Sequence, residues 1–358
     1  MPHRAAFRVA VLVSVSVSLA RGAPGPRSDP MSELKDWPMP ALRPGLSEPQ
    51  IAAAITAYAK QLRDAGHFAG VVLAAKAGKI VVSGAYGLAD VASNTPNTLE
   101  TRFNIGSLNK LFTKLAIAQL AEAGKLTLDD TVHKHLPALA IAGADQITIR
   151  QLIDHRSGMG DFFGPTYDAA PPSRLRELAD LVPLFVDQPL GFAPGTDERY
   201  SNAGYIVLGL VIERLSGERY RDYVTRHVFA PAGMTRSGFW AIDERVADLA
   251  TGYRQVEGGA PGLRVSNRDT LSGRPSSAGG GFATAGDLLR FSQAVDAGTL
   301  LSPAWTNWMI NGSFDDARRL PTIGYGGGGP GLNAALERSE GWTVIALANF
   351  DPPSAMAV

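Results

Sequence analysis

Strand-like runs sit near both ends of this 358-residue chain, and the segment between them reads as helix. Near the start, Val71 to Lys76, an Ala77-Gly78 turn and Lys79 to Ser83 have the pattern of a β-hairpin. Near the end, Leu332 to Glu337 and Trp342 to Ala348 flank a Ser339-Glu340-Gly341 turn. A two-stranded unit is marginal on its own, so the two hairpins are expected to share one antiparallel sheet. The fold class expected is α+β, an antiparallel β-sheet flanked by helices with an inserted, mostly helical subdomain. Residues 47–105 and 275–358 form the sheet part of a single 47–358 domain on this reading, and residues 106–274 the helical part.

The helices carry their own start and stop signals. Ser47 with Gln50 forms a capping box, and Ile51, Ile55, Tyr58 and Leu62 then recur at helical spacing up to Gly66. A second helix is expected from about Ser107 through Leu111, Leu115, Ala118 and Leu120, stopping at Gly124. Ile206 to Leu215, closed by Gly217, reads as a third. Thr284 with Asp287 opens a fourth, ending near Gly298.

Composition narrows the function. Thirty-four basic residues balance thirty-four acidic ones, which leaves no electrostatic footprint for nucleic acid or anionic lipid and favours a small-molecule partner. The absence of cysteine removes thiol nucleophiles, disulfides and thiolate metal sites. His133-Lys134-His135, after Asp129-Asp130, reads as a polar turn and not as a metal site; no metal or cofactor is expected. Arg4 and Arg8 ahead of the apolar run Val9 to Ala20, with a small-residue cleavage point up to Ala23, read as a signal peptide over residues 1–23. Residues 24–46 then read as a disordered lead-in, and the mature protein is expected in the periplasm or outside the cell, without a membrane span.

Three features carry chemistry. A serine hydroxyl needs a base, and no histidine here sits in a recognisable catalytic context; a Gly-x-Ser-x-Gly elbow is also missing. Ser-x-x-Lys occurs as Ser32 to Lys35, in the Pro-rich lead-in, and as Ser107 to Lys110, where an apolar helix opens. Residues three apart share a helix face. Lysine in a first turn opposes the helix dipole, whose positive end, with burial, depresses the amine toward its neutral, proton-accepting form. The plain alternative is that Ser107 is an N-cap. Tyr200-Ser201-Asn202 is the second feature: extended geometry points Tyr200 and Asn202 to one side, a phenol to relay a proton and an amide to orient a carbonyl, the plain alternative being a tyrosine packed at a helix entrance. The third is the run Gly324 to Gly331, where Tyr325, Gly326 and Gly327 lead toward the Leu332 strand. Its glycines permit close backbone approach, and a strand N–H paired with that of Ser107 is expected to form an oxyanion hole; the plain alternative is a flexible loop.

Together these motifs resemble the serine β-lactamase and penicillin-binding-protein superfamily, and in particular class C β-lactamase-like hydrolases of the esterase and D-aminopeptidase branch. The resemblance runs from about Phe68 to Asp351 and includes Arg102 to Ser107, Leu126 to Asp130, His155-Arg156-Ser157-Gly158, Pro194-Gly195, Ala278 to Gly281 and Asn349 to Pro353. It implies a β-lactamase/transpeptidase-like fold. It also implies an acyl-enzyme on Ser107, with Lys110 as base and Tyr200 as proton relay. Asn202, Tyr325, Gly326 and Gly327 become substrate contacts, while His155 falls in a stretch that is structural in the family.

Two departures stand out. The family's third motif begins with Lys or His, whereas here a neutral Tyr325 takes that place; this predicts a preference for esters or small amides over β-lactams and D-alanyl peptides. Family members also add a helix after the last strand, while this sequence stops at Val358. Either apolar sheet is left exposed or the Ile51 to Leu62 helix provides more of the cover. A β-lactamase or D-alanyl peptidase, and a β-lactam- or peptidoglycan-binding sensor without turnover, stand as alternatives.

Overall fold

A computed structural model describes residues 45–260, 262–315 and 322–358. The expected signal peptide and nearly all of the lead-in lie outside the described residues. Five strands form one antiparallel sheet: β1 (Gly70–Lys76), β2 (Lys79–Tyr86), β3 (Thr322–Gly329), β4 (Leu332–Ser339) and β5 (Trp342–Ala348). Their order is β2-β1-β5-β4-β3, so strands from the two ends of the chain meet at the centre, with Gly70 opposite Ala348 and Lys76 opposite Trp342. Two hairpin turns set the register. Ala77 and Gly78 have φ of 48° and 77°, and Glu340 and Gly341 have 48° and 79°. Successive positive values give the two-residue turn whose twist matches that of the strands it joins.

Alternation along β1 separates two cores. Val71, Leu73 and Ala75 face one way, with Ala334, Leu336, Ile345 and Leu347 of neighbouring strands, and belong to the main core. Val72 faces the other way, with Ala346 and Ala348, beneath α1 (Glu48–Asp64). Gln50 accepts from Ser47 N at 2.9 Å, as expected of the capping box, and Tyr58, Ala59 and Leu62 are buried on the sheet. Ala355 and Ala357 complete this cover, so the helix from Ile51 to Leu62 does roof this face.

On the main-core side lies α2 (Lys110–Glu122), whose Leu111, Phe112, Leu115, Ala116, Ile117, Ala118 and Leu120 are all buried. With apolar side chains buried on most of its faces, the helix has to sit inside the protein. Phe112 makes edge-to-face contacts with Phe229 and Phe291, at 4.9 and 5.1 Å between ring centroids. Beside α2 runs α3 (Asn202–Ser216), ended by Gly217 at φ +75°. α4 (Ala285–Asp296), capped by Thr284 Oγ1 on the Asp287 N–H, packs behind β1 and β5. The segment expected to be mostly helical also contains a short hairpin, Tyr253–Gln255 with Arg264–Ser266. Its strands are three residues long, too short for alternation to distinguish them from loop.

Candidate active site

Ser107 lies in a tight 3₁₀ turn, Gly106–Asn109, and α2 begins only at Lys110. Sequence periodicity predicted an α-helix from Ser107. The 3₁₀ geometry has three residues per turn and eclipses side chains three apart, which sets Lys110 over Ser107. Their Nζ and Oγ are 3.1 Å apart. Gly106 enters the turn at φ +52°, and a Cβ there would stand 2.9 Å from Leu332 Cδ1 and 3.0 Å from Gly328 N. Ser107 makes no side-chain cap.

Lys110 is 7% exposed. Besides Ser107 its amine meets Asn202 Oδ1 at 2.7 Å and the Ala278 carbonyl. Burial pulls its pKa down to about 7, while the Asp161 carboxylate pushes in the opposite direction. The amide of Asn202 is shared: its Nδ2 donates to Asp161 Oδ2 at 2.7 Å. Burial holds the Asp161 carboxyl above its ordinary value, against the Asn202 hydrogen bond.

The phenol of Tyr200 donates to Ser107 Oγ at 2.6 Å. Burial raises its pKa, so it keeps its proton at neutral pH. Ser201 caps α3 through its Oγ, which accepts from Gly204 N at 2.9 Å. The helix therefore starts at Asn202, four residues ahead of the expected Ile206; Ala203 and Gly204 are too small to register in an apolar period. This cap delivers Tyr200 from just before the helix and Asn202 from its first turn, both onto the Ser107–Lys110 pair. His155, at φ 57°, lies under Tyr200, ring centroids 4.5 Å apart. Its Nδ1 accepts from Ser201 N at 3.1 Å, and burial drives its pKa down to about 3. It remains a neutral support for the Tyr200 segment.

The glycine-rich run forms the edge strand β3, with Gly326 opposite Ala335 and Gly327 opposite Ala334. A Cβ on Gly327 would fall 2.0 Å from Ile105 O and 2.9 Å from Ser107 N. The backbone of β3 therefore presses on the peptide that carries Ser107, and only glycine fits. Asn333 braces the strand: its Nδ2 donates to Gly327 O at 2.9 Å while its Oδ1 accepts from Ala355 N and Met356 N. Tyr325 lies opposite Leu336 and packs against the main core, where burial pushes its phenol up to about 12.

The structure thus gathers Ser107, Lys110, Tyr200 and Asn202 at hydrogen-bonding distance, with Gly327 against the Ser107 peptide. The spacing of motifs missed two of the partners. Asp161 is 41 positions from Asn202 with no periodic link between them, and Ala278 contributes a backbone carbonyl. His135 bonds to Asp130 at 2.9 Å, as does Lys134 at 2.7 Å, forming a polar cluster; the stretch expected as a turn is a short α-helix, Val132–His135. A cavity of about 700 Å³ opens nearby among Asn104, Trp240, Asn267, Gly280 and Leu332, but Ser107, Lys110 and Tyr200 do not line it.

Comparison with known proteins follows the same outline. The family described as Beta-lactamase matches residues 55–358. Penicillin-binding protein 4* of Bacillus subtilis is 34% identical over 191 residues, covering 52% of this chain and 42% of the relative. The chain thus spans about two fifths of the length of the first curated relatives it matches. Among solved structures, a penicillin-binding protein from Bacillus halodurans superimposes with a TM-score of 0.74 at 30% identity, covering 83% of this chain and 97% of that one. EstCE1, a hydrolase with promiscuous acyltransferase activity, shares the fold with a TM-score of 0.69 at 24% identity, covering 85% and 94%. No helix among the described residues is long and apolar enough to cross a membrane. With its antiparallel sheet, its Ser-x-x-Lys turn leading into a buried helix and a family match over residues 55–358, the chain belongs to the beta-lactamase family of serine hydrolases.

Proposed function

We propose that this protein is an acyl hydrolase that forms an acyl-enzyme on Ser107 and acts on esters or small amides. One observation carries the reading: Ser107 Oγ lies within hydrogen-bond reach of both Lys110 Nζ and Tyr200 Oη. Two acceptors, Asn202 Oδ1 and the Ala278 carbonyl, occupy two positions on the Lys110 nitrogen. A neutral amine has two N–H bonds and one lone pair, so the lone pair is left for the Ser107 hydroxyl.

The chemistry then balances in two halves. Lys110 takes the Ser107 proton as Oγ bonds to the substrate carbonyl carbon, and the carbonyl electrons move onto oxygen. The Ser107 N–H and the adjacent β3 backbone are placed to stabilise that oxyanion. Collapse expels the alcohol or amine, which receives a proton through Tyr200, resupplied from Lys110. Water enters by the reverse relay, releasing the acid and restoring Ser107. Asn202 keeps one Nδ2 hydrogen for substrate beyond its bond to Asp161.

The neutral Tyr325 supports ester preference, because it supplies no cation for the carboxylate of a β-lactam or D-alanyl peptide. Membership of the family keeps β-lactamase or D-alanyl peptidase activity as the second reading. The test is a panel of p-nitrophenyl esters, nitrocefin and D-alanyl amides on wild type and Ser107→Ala, followed by intact mass spectrometry. Ester turnover abolished by Ser107→Ala, with a transient adduct on Ser107, is the expected result. A lasting adduct without turnover would mean a sensor, and turnover surviving Ser107→Ala would sink the assignment.

A further inference from the structure

We propose that Asp161 is a positioning residue for acyl transfer: it locks the Asn202 amide in the orientation that keeps the Lys110 lone pair free for Ser107. This deepens the reading of Ser107 as an acylated nucleophile and rests on it.

A carboxylate only accepts, so the group Asn202 turns toward Asp161 Oδ2, at 2.7 Å, is its NH₂. The opposite end, Oδ1, then necessarily faces Lys110 Nζ, also at 2.7 Å. Asn202 is 6% exposed, so little water competes for either end. Reverse the amide and an N–H points at the Lys110 nitrogen. A neutral amine would accept that N–H with its only lone pair, and the Ser107 hydroxyl would lose its base. Asp161 itself is held in place by the Phe163 N–H, 3.2 Å from its Oδ1.

Asp161 also supplies charge. The titratable groups facing the Lys110 amine are Asp161, His155, Tyr200 and Tyr205, the two phenol rings lying 4.7 and 5.2 Å from Nζ. Burial keeps His155 neutral and both tyrosines protonated. Asp161 is then the one anion in the set, and it favours the ammonium form of Lys110. Removing its charge lets Lys110 lose its proton at lower pH.

The test compares wild type with Asp161→Asn, Asn202→Ala and the double variant, by kcat/KM for p-nitrophenyl acetate across pH. Asp161→Asn keeps size and an acceptor for Phe163 N but can donate toward Asn202. Its plateau should fall roughly 10- to 100-fold, as for a misplaced catalytic group, and its acidic limb should move to lower pH. In the Asn202→Ala background the same substitution should change the plateau by less than about twofold, because Asp161 acts through Asn202. Full additivity in the double variant, or a loss of plateau with an unmoved limb and a matching fall in Tm, would reduce Asp161 to a structural turn residue. Those outcomes leave the Ser107 assignment standing, whereas ester turnover by Ser107→Ala fails that assignment and this one with it.

Discussion

Asn202 Oδ1 sits 2.7 Å from Lys110 Nζ, so the first residue of one buried helix grips the first residue of another. Asn202→Ala removes that grip and leaves a buried N–H of Lys110 without an acceptor. Acyl transfer should fall roughly 100-fold. Asn202→Asp sets a second anion beside the amine, which favours its ammonium form. The acidic limb of the rate profile should then move up in pH, with partial recovery in alkaline buffer.

The amine of Lys110, drawn down to about 7 by burial, acts as a base only when neutral. Below about pH 7, acylation should rise about tenfold per pH unit, then level off above it. His155, with its pKa down to about 3, contributes no limb near neutrality. The same shift governs stability. Lys110 binds its proton less tightly folded than unfolded, so between about pH 7 and 10 the unfolded chain holds the extra proton and stability rises with pH. Urea midpoints at pH 7 and pH 9 check the sign, and Lys110→Met should flatten that slope.

Tyr200→Phe deletes only the hydroxyl 2.6 Å from Ser107 Oγ, while the ring keeps its tilted contact with His155. Turnover should drop roughly 10²- to 10⁴-fold with Tm nearly unchanged. A large loss of Tm would mean that the phenol serves packing rather than proton transfer.

Gly327→Ala drives a methyl to within 2.0 Å of Ile105 O, so β3 has to move off the Ser107 peptide. Ester turnover should fall at least roughly 100-fold. Gly329→Ala is the control on the same strand, where a Cβ meets only Leu332 side-chain atoms at 3.7 Å or more. It should change stability by no more than about 1 kcal/mol and leave turnover intact.

Tyr325→His places an ionisable nitrogen where the resemblance to the family implies a Lys or His. Second-order acylation by nitrocefin, read by mass spectrometry, should increase relative to ester turnover. An unchanged ratio would remove Tyr325 as the determinant of the proposed ester preference.

Local relationships were the legible ones. Ser107 and Lys110 are three residues apart, the Ala77-Gly78 turn is a two-residue signal, the Ser339-Glu340-Gly341 signal marks its turn to within one residue, Ser339 being the end of β4, and the Ser47–Gln50 box is a fixed spacing. Each could be read because the partners are near neighbours in the chain. The 3₁₀ turn at Gly106–Asn109 could not, since four residues of apolar pattern do not separate three residues per turn from 3.6. The early start of α3 was hidden by small residues that carry no period. Asp161 was hidden for a different reason: its importance comes from accepting one amide hydrogen across 41 positions, and a single aspartate has no pattern to show it.

The strand order has a consequence for how such a molecule comes into being. β1 is hydrogen-bonded to β5, its partner from the other end of the sequence. On a ribosome, Ser107 and Lys110 emerge well before β3, β4 and β5 have been made. Until then β1 keeps one flank unpaired, open to adhesion with other chains, and such long-range closure is slow. The half-synthesised polypeptide is therefore inert and vulnerable at once, and the catalytic cleft is among the last things to be assembled.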